Sequence, residues 1–265
     1  MGRSRRRPEG GCFGYMTRVL SISGGAARES APEIREAARV LLSGGLALIP
    51  TETVYGIGVA VSAVPPSGDS SAEDAPAPLV NGCPVPGRQS GYRRIFDLKQ
   101  RDLAQTVPWL VADAGALDEF GASPDPRMRA LARSLWPGAL TLIVPASDAV
   151  PRFMRAADGT VALRASASPV VAALIAACGC PLAVTSANTH GRPAPTSFSE
   201  VERRILEGVD IAIDAGETRC KDASTIVALP SGNLKIVRQG ALPAKAIASA
   251  VASCEGPSAP SSTER

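Results

Sequence analysis

Nine consecutive residues, Pro50–Gly58, combine two threonine hydroxyls, a carboxylate, a phenol and two glycines. They follow the apolar run Leu46–Ile49, which predicts a strand, and few of them would add to a hydrophobic core. Glycines let a ligand approach the backbone, and hydroxyl groups can orient that ligand. The segment therefore predicts the wall of a binding pocket.

Two cations, Lys99 and Arg101, follow a helix predicted near Tyr92–Leu98. An ammonium point charge beside a planar guanidinium suits adjacent phosphate oxygens. The alternative is that both cations complement the dipole at the C-terminus of this helix.

Arg164 and Arg238 belong to sequences that otherwise predict apolar strands. A buried guanidinium needs an anionic ligand or a carboxylate partner. Each arginine therefore has two interpretations, an anion site or an internal salt bridge.

Ser186 and Asn188 follow the predicted strand Leu182–Thr185. The carboxyl ends of strands are where α/β sheets bind ligands, although serine and asparagine also stabilise turns through local hydrogen bonds. Neither a Walker A sequence nor a Gly-x-Gly-x-x-Gly sequence occurs, so a nucleotide would bind outside those two cradles. Together, these polar and cationic groups indicate an enzyme that binds an anion.

The composition excludes several classes of protein. With 28 basic and 25 acidic residues, the net charge of +3 does not indicate a nucleic-acid coat protein. Six cysteines form no Cys-x-x-Cys pair, which argues against a zinc ribbon or a thioredoxin motif. His190 is the single histidine, so no histidine-rich metal centre can form, and we predict no metal site in the protein.

Targeting signals are not evident in the sequence. The Arg-rich first 20 residues lack the apolar stretch of a signal peptide, and no segment approaches 18 uncharged apolar residues. We therefore predict a cytoplasmic protein without membrane attachment, starting at Met1 or Met16.

The pattern of elements predicts one α/β domain over residues 30–250. Helical and strand patterns intermix without strict alternation, which favours a twisted mixed parallel/antiparallel sheet with surrounding helices. Residues 62–91 contain six prolines and few large apolar groups, so we predict a disordered insertion there. We also predict a flexible N-terminal extension over 1–29 and a flexible tail over 251–265.

Five ordered motifs resemble the YrdC-like family of threonylcarbamoyl-AMP synthases, in its single-domain form, over about residues 31–245. They are Pro50–Gly56, Ile95–Arg101, Trp136–Leu142, Thr185–Asn188 and Ser224–Val227. The resemblance implies a YrdC-like fold with a concave basic cavity. It implies synthesis of threonylcarbamoyl-AMP and pyrophosphate from L-threonine, bicarbonate and ATP, with Mg²⁺ on the triphosphate. The product would feed a downstream threonylcarbamoyl transferase that modifies tRNA.

The resemblance also implies roles for individual residues. By similarity, the catalytic motifs contribute Lys99, Arg101, Ser186 and Asn188. The same comparison assigns ATP to Arg101, Gln105, Thr160, Ser186 and Arg238, and threonine to Thr53, Arg164 and Ser224. Three positions depart from the family pattern: Leu110 stands where relatives often carry histidine, Asp102 replaces a proline, and Ala194 replaces a serine.

Two other functions compete with this one. A non-catalytic module that binds double-stranded RNA or tRNA would use the same basic cavity, but the near-neutral charge and the lack of an aromatic stacking platform count against it. A carbamoyl-transfer domain of hydrogenase maturation factors would need Cys-x-x-Cys pairs, which this chain lacks.

Overall fold

The structure is a computed structural model that describes residues 17–22, 27–64 and 77–255. Of Cys254 and Glu255 it describes the backbone alone. Twelve strands and seven α-helices occur within those ranges. In chain order they are β1 (Arg18–Ser21), α1 (Pro32–Leu42), β2 (Ala47–Pro50), β3 (Tyr55–Ala60), β4 (Leu79–Val80), β5 (Cys83–Pro84), α2 (Gly91–Lys99), β6 (Trp109–Val111), α3 (Ala116–Phe120), α4 (Pro126–Leu135), β7 (Leu140–Pro145), β8 (Thr160–Ala165), α5 (Pro169–Cys178), β9 (Leu182–Ser186), α6 (Arg203–Glu207), β10 (Ile211–Asp214), β11 (Thr225–Ala228), β12 (Lys235–Arg238) and α7 (Ala244–Glu255).

Ten of these strands form one sheet in the order β1-β10-β2-β3-β9-β6-β8-β7-β11-β12, and β4 and β5 form a separate hairpin. The pairs β1/β10, β10/β2, β6/β8 and β7/β11 are parallel. The pairs β2/β3, β3/β9, β6/β9, β7/β8 and β11/β12 are antiparallel. The predicted mixed α/β fold is therefore confirmed.

Helices cover the sheet through two hydrophobic cores. On one side α1 packs against α5, and Ile34 and Leu174 are fully buried between them and the sheet. The second core contains Phe96 of α2 and the contact between α4 and α7. Consecutive residues of β2 alternate between the cores, Leu48 in the second and Ile49 in the first, as the two-residue period of a strand requires.

Local sequence sets the ends of the helix that carries the two predicted cations. The Ser90 hydroxyl accepts the Arg93 N–H at 3.2 Å and caps the start of α2. Gln100 adopts a left-handed conformation with φ of 51°, and the Arg101 N–H returns to Phe96 O at 3.0 Å. Lys99 therefore lies in the last helical turn and Arg101 just beyond it.

The two glycines of the first motif have a packing function. A Cβ at Gly56 would lie 2.5 Å from Val184 Cγ1, and a Cβ at Gly58 would lie 2.6 Å from Ala183 O on the adjacent strand β9. The sequence interpretation assigned both glycines to ligand approach. The close contact between β3 and β9 requires both of them, which corrects the interpretation for Gly58. Gly56 also lines the main cavity, so its role in ligand approach stays a prediction.

The predicted domain boundaries need corrections. Arg18–Ser21 lies within the predicted flexible extension but pairs in parallel with β10 at the sheet edge, where the side chain of Leu20 is buried. The insertion is ordered over residues 77–91, where β4 and β5 pair and the side chains of Val80 and Val85 join the core. The tail over 251–255 is helical as the end of α7. The remaining parts, 1–16, 23–26, 65–76 and 256–265, lie outside the described residues.

None of the helices in the described ranges has the length and apolar character needed to cross a bilayer.

Candidate functional site

A cavity of about 290 Å³ lies against one face of the sheet. Its floor is formed by neighbouring strands, through Gly56, Val184, Leu110, Arg164, Thr141 and Ile226. Six residues predicted for the site line it: Thr53, Arg164, Ser186, Asn188, Ser224 and Arg238. The fold thus brings together residues from distant parts of the chain.

One end of the cavity, the Arg164 end, is built around a buried ion pair. Arg164 Nη2 lies 2.7 Å from Glu52 Oε1, and the two side chains are 7% and 4% exposed. Arg164 Nε donates to Gly138 O at 3.1 Å, and the Ser166 hydroxyl donates to Glu52 Oε2. Arg164 is therefore held by the Trp136–Gly138 turn on one side and by the first motif on the other.

The charge of Glu52 is stabilised by these neighbours. Burial alone would raise the pKa of the Glu52 carboxyl, but Arg164 and the Ser166 hydroxyl outweigh that cost and the pKa lies below its ordinary value. The geometry between Arg164 Nη2 and Glu52 Oε1 is a close charge contact without an aligned hydrogen bond. The guanidinium thus retains hydrogen-bonding capacity towards a second anion.

Hydroxyl groups surround this ion pair. Thr51 Oγ1 and Thr53 Oγ1 lie 2.8 Å apart, and Thr141 Oγ1 and Ser224 Oγ lie 2.8 Å apart. Arg238 Nη2 donates to Ser224 O at 2.7 Å, and burial lowers the pKa of Arg238. These hydroxyls can donate to or accept from a small polar ligand.

The other end of the cavity, the Ser186 end, has the buried Lys99 and the half-buried Arg101 behind the loop that follows β9. Lys99 Nζ donates to Ser186 O at 2.5 Å and to Asn188 O at 2.8 Å. Burial, and secondarily the nearby charge of Arg101, lowers the pKa of Lys99 to about 8. Lys99 is 3% exposed, so it supports the cavity wall from behind.

Arg101 has a similar supporting position. Its Nη2 donates to Thr106 O at 2.7 Å, and its Nη1 donates to Thr185 Oγ1 at 3.3 Å. Its Nε donates to Gln105 Oε1 at 2.6 Å, which links the exposed Gln105 to the site through Arg101. Burial lowers the pKa of Arg101.

Thr160, a predicted site residue, lies outside the main cavity. No hydrogen bond of its side chain links it to that cavity. Its hydroxyl donates to Asp158 Oδ1 at 2.7 Å, and it lines a neighbouring cavity of about 160 Å³. Sheet register places Thr160 two strand spacings from Ser186, about 10 Å, on the same face of β8 as Arg164. Its assignment to ATP stays a prediction.

Sequence reasoning missed three polar residues at the Arg164 end: Glu52, Ser166 and Thr141. Glu52 lay within the first motif, and its polarity directly after a strand was a usable signal that a buried cation must face it. Ser166 follows Arg164 by two residues, a spacing that places both on one face of an extended chain. Thr141 lies within the motif Trp136–Leu142, but the resemblance assigned no site residue to that motif.

The structure is an α/β domain with a mixed sheet and a polar cavity on one face, which Arg164, Arg192 and Arg238 line. The Sua5/YciO/YrdC family model, described as telomere recombination, matches residues 85–240. The chain therefore belongs to this family, in agreement with the resemblance found in the motifs.

Individual relatives agree with this assignment. The threonylcarbamoyl-AMP synthase of Pyrococcus abyssi is 32% identical over 215 residues, which cover 81% of this chain and 56% of that protein. The enzyme of the same name from Stenotrophomonas maltophilia is 32% identical over 185 residues, which cover 69% of this chain and 85% of the relative. This chain therefore spans little more than half the length of the Pyrococcus protein.

A solved structure shares the fold. The crystal structure of P. abyssi Sua5 complexed with L-threonine matches with a TM-score of 0.71 and 30% identity, covering 88% of this chain and 61% of that chain.

Proposed function

We propose that this protein is an L-threonylcarbamoyladenylate synthase. The observation that carries the proposal is the convergence of Thr53, Arg164, Ser186, Ser224 and Arg238 on one cavity. The names of its relatives and the threonine bound to P. abyssi Sua5 support the same activity.

In this proposal the amino acid binds at the Arg164 end. The threonine carboxylate pairs with the guanidinium of Arg164, and the hydroxyls of Thr53 and Ser224 contact the remaining polar groups. Leu110 lines the cavity beside Arg164 and offers an apolar surface to the threonine methyl group. The buried Glu52 fixes the guanidinium before the substrate arrives.

ATP binds at the Ser186 end in the same proposal. Ser186 and Asn188 contact the phosphates, and Lys99 and Arg101 supply positive charge from directly behind them. Arg238 contributes from the far wall. Gln105 acts through Arg101, and Thr160 lies within reach of the nucleoside of an extended ATP molecule.

The reaction joins the two ends of the cavity. The threonine amine and bicarbonate form a carbamate with loss of water, and a carbamate oxygen attacks the α-phosphorus of ATP. The new P–O bond forms as the bond to pyrophosphate breaks, so threonylcarbamoyl-AMP and pyrophosphate leave. Fixed orientation and charge neutralisation would provide most of the rate enhancement.

Mg²⁺ would enter as part of the ATP substrate. The described residues contain no cluster of three or more His, Cys, Asp or Glu side chains arranged to hold a metal ion, and Glu52 is committed to Arg164 and Ser166. Phosphate oxygens and water therefore suit the ion better than this chain's side chains do. The proposal extends to a cytoplasmic location, to delivery of the product to a threonylcarbamoyl transferase, and to contact with tRNA.

The direct test is release of pyrophosphate from ATP in bicarbonate buffer, measured with and without L-threonine. We expect threonine-dependent release by the wild type and its loss in the Lys99→Ala/Arg101→Ala variant. Mass detection of the adenylate formed with threonine and with serine measures the amino-acid preference. Equal release by wild type and variant would reject the proposal, and salt-sensitive RNA binding that ATP does not compete would favour the RNA-binding alternative.

A further inference from the structure

Arg192 lies on the loop after β9 and lines the same cavity, although neither the motifs nor the resemblance assigned it a role. Its backbone is fixed: Asn188 Nδ2 donates to Arg192 O at 2.7 Å, and Arg192 N–H donates to Thr189 O at 3.0 Å. Three residues after Arg192 the loop is anchored again, since Tyr55 N–H donates to Pro195 O at 2.9 Å. The position of Arg192 at the mouth of the cavity is therefore set by the fold.

The guanidinium of Arg192, in contrast, is little engaged. Its side chain is 69% exposed, and within the described part of the chain its nearest carboxylate oxygen is Glu202 Oε2, at 4.0 Å from Nη1. Glu202 is itself committed to the backbone N–H and the hydroxyl of Thr189, both at 2.9 Å. Arg192 thus keeps its N–H donors for a ligand.

The other cations of the cavity are more fully engaged by the protein. Lys99 and Arg101 donate to oxygens of the protein behind the wall, and Arg238 donates to Ser224 O. Arg164 faces Glu52. Among the described residues, Arg192 is therefore the cavity-lining cation whose N–H groups are least engaged by the protein.

We propose that Arg192 binds the terminal phosphates of the nucleoside triphosphate and the departing pyrophosphate. This inference rests on the proposed function for its geometry. The α-phosphate must lie next to the carbamate, and so towards Arg164, which leaves the β- and γ-phosphates closer to the open mouth. A planar guanidinium at that mouth can bind two phosphate oxygens at once and attract the anion from solution.

Equilibrium binding of ATP and AMP, measured by calorimetry without threonine, tests the proposal. R192Q should weaken ATP binding about tenfold, the usual scale for losing one charge-assisted contact, and leave AMP binding unchanged. R192K should recover part of the ATP affinity because it keeps the charge. The matched control is R203Q, because Arg203 is also a surface arginine, 88% exposed, that pairs with Glu207 and lies outside the cavity.

Several results would overturn the inference. Equal losses for ATP and AMP in R192Q would mean that Arg192 shapes the loop or contacts the α-phosphate. An R203Q loss as large as that of R192Q would indicate general surface charge. No loss in R192Q would remove the role altogether.

The proposed function can fail separately. If the wild type binds ATP but releases no pyrophosphate with threonine, the synthase assignment fails while the comparison of ATP with AMP still decides the role of Arg192. If the wild type binds no nucleotide, both proposals are wrong.

Discussion

The Arg164 end of the cavity holds one guanidinium against one carboxylate, both buried, whereas the Ser186 end surrounds Lys99 and Arg101 with uncharged oxygens. Charge at the first end is balanced before a substrate binds. At the second end no carboxylate pairs with Lys99 among the described residues. Burial and Arg101 lower the pKa of Lys99 to about 8, and the nearby charge of Glu202 only partly opposes them. The first arrangement favours selection by fixed geometry, and the second favours attraction of a highly charged ligand.

This difference has an energetic origin. A buried ion pair is costly to break, because removing one partner leaves the other without compensation. A buried cation without a carboxylate partner raises the free energy of the folded protein until a polyanion neutralises it. The Arg164 end should therefore matter most for stability, and the Ser186 end most for the affinity for ATP.

The largest expected effect is at the Arg164 end. Glu52→Ala leaves the buried guanidinium of Arg164 unpaired, and we expect it to lower the free energy of unfolding by about 3–5 kcal/mol, measured by urea denaturation. The matched control is Glu217→Ala, which removes a surface partner of Lys221 and should cost less than about 1 kcal/mol. If both variants lose a similar small part of the free energy of unfolding, the Arg164 end does not contribute more to stability than the Ser186 end.

The second effect is the pH dependence at the Ser186 end. The pKa of Lys99 falls from an ordinary 10.5 to about 8, so its charge disappears as the pH rises through 8. We expect the affinity for ATP to fall by up to about tenfold per pH unit above that point, measured as binding between pH 7 and 9.5. Lys99→Arg should move this loss to higher pH, because arginine stays protonated.

Stability should change in the opposite direction over the same range. Because the folded pKa lies below the unfolded value, the unfolded chain binds more protons between about pH 8 and 10.5. The contribution of Lys99 to the free energy of unfolding therefore increases as the pH rises through this window. If the ATP affinity of the Lys99→Arg variant falls with rising pH as it does in the wild type, a group other than Lys99 titrates.

The sequence predicted the elements of the fold well where the pattern was strong. The helix predicted near Tyr92–Leu98 spans Gly91–Lys99, and the strand predicted over Leu182–Thr185 extends by one residue to Ser186. Two elements were missed. The segment that contains β4 and β5 buries few large side chains, Val80 and Val85, so its composition indicated disorder, and α7 carried no recognised motif.

The sequence predicted which residues belong to the site but not which residues contact each other there. Lone charges in apolar strands identified Arg164 and Arg238. The salt-bridge interpretation of Arg164 is confirmed by Glu52, and the anion-site interpretation stays a prediction for a residue that lines the cavity. Which carboxylate meets it depends on the register of distant segments, which no local pattern specifies. The same limit explains why Lys99 and Arg101 were placed on the ligand although the fold seats them behind Ser186 and Thr185.

The smallest effect concerns two residues that the resemblance assigns to ATP and that lie outside the main cavity. Gln105 is exposed and contacts the site through Arg101 Nε, whereas Thr160 binds Asp158 about 10 Å from Ser186. In a double-mutant cycle on ATP affinity, we expect Gln105→Ala and Arg101→Ala to be coupled by about 0.5–1.5 kcal/mol, the net value of a hydrogen bond. Thr160→Val and Arg101→Ala should be additive, because distant sites with no shared partner act independently. If Arg101 is coupled to Thr160 but not to Gln105, the proposed assignment is wrong. Arg101 would then lie against the nucleoside rather than the phosphates.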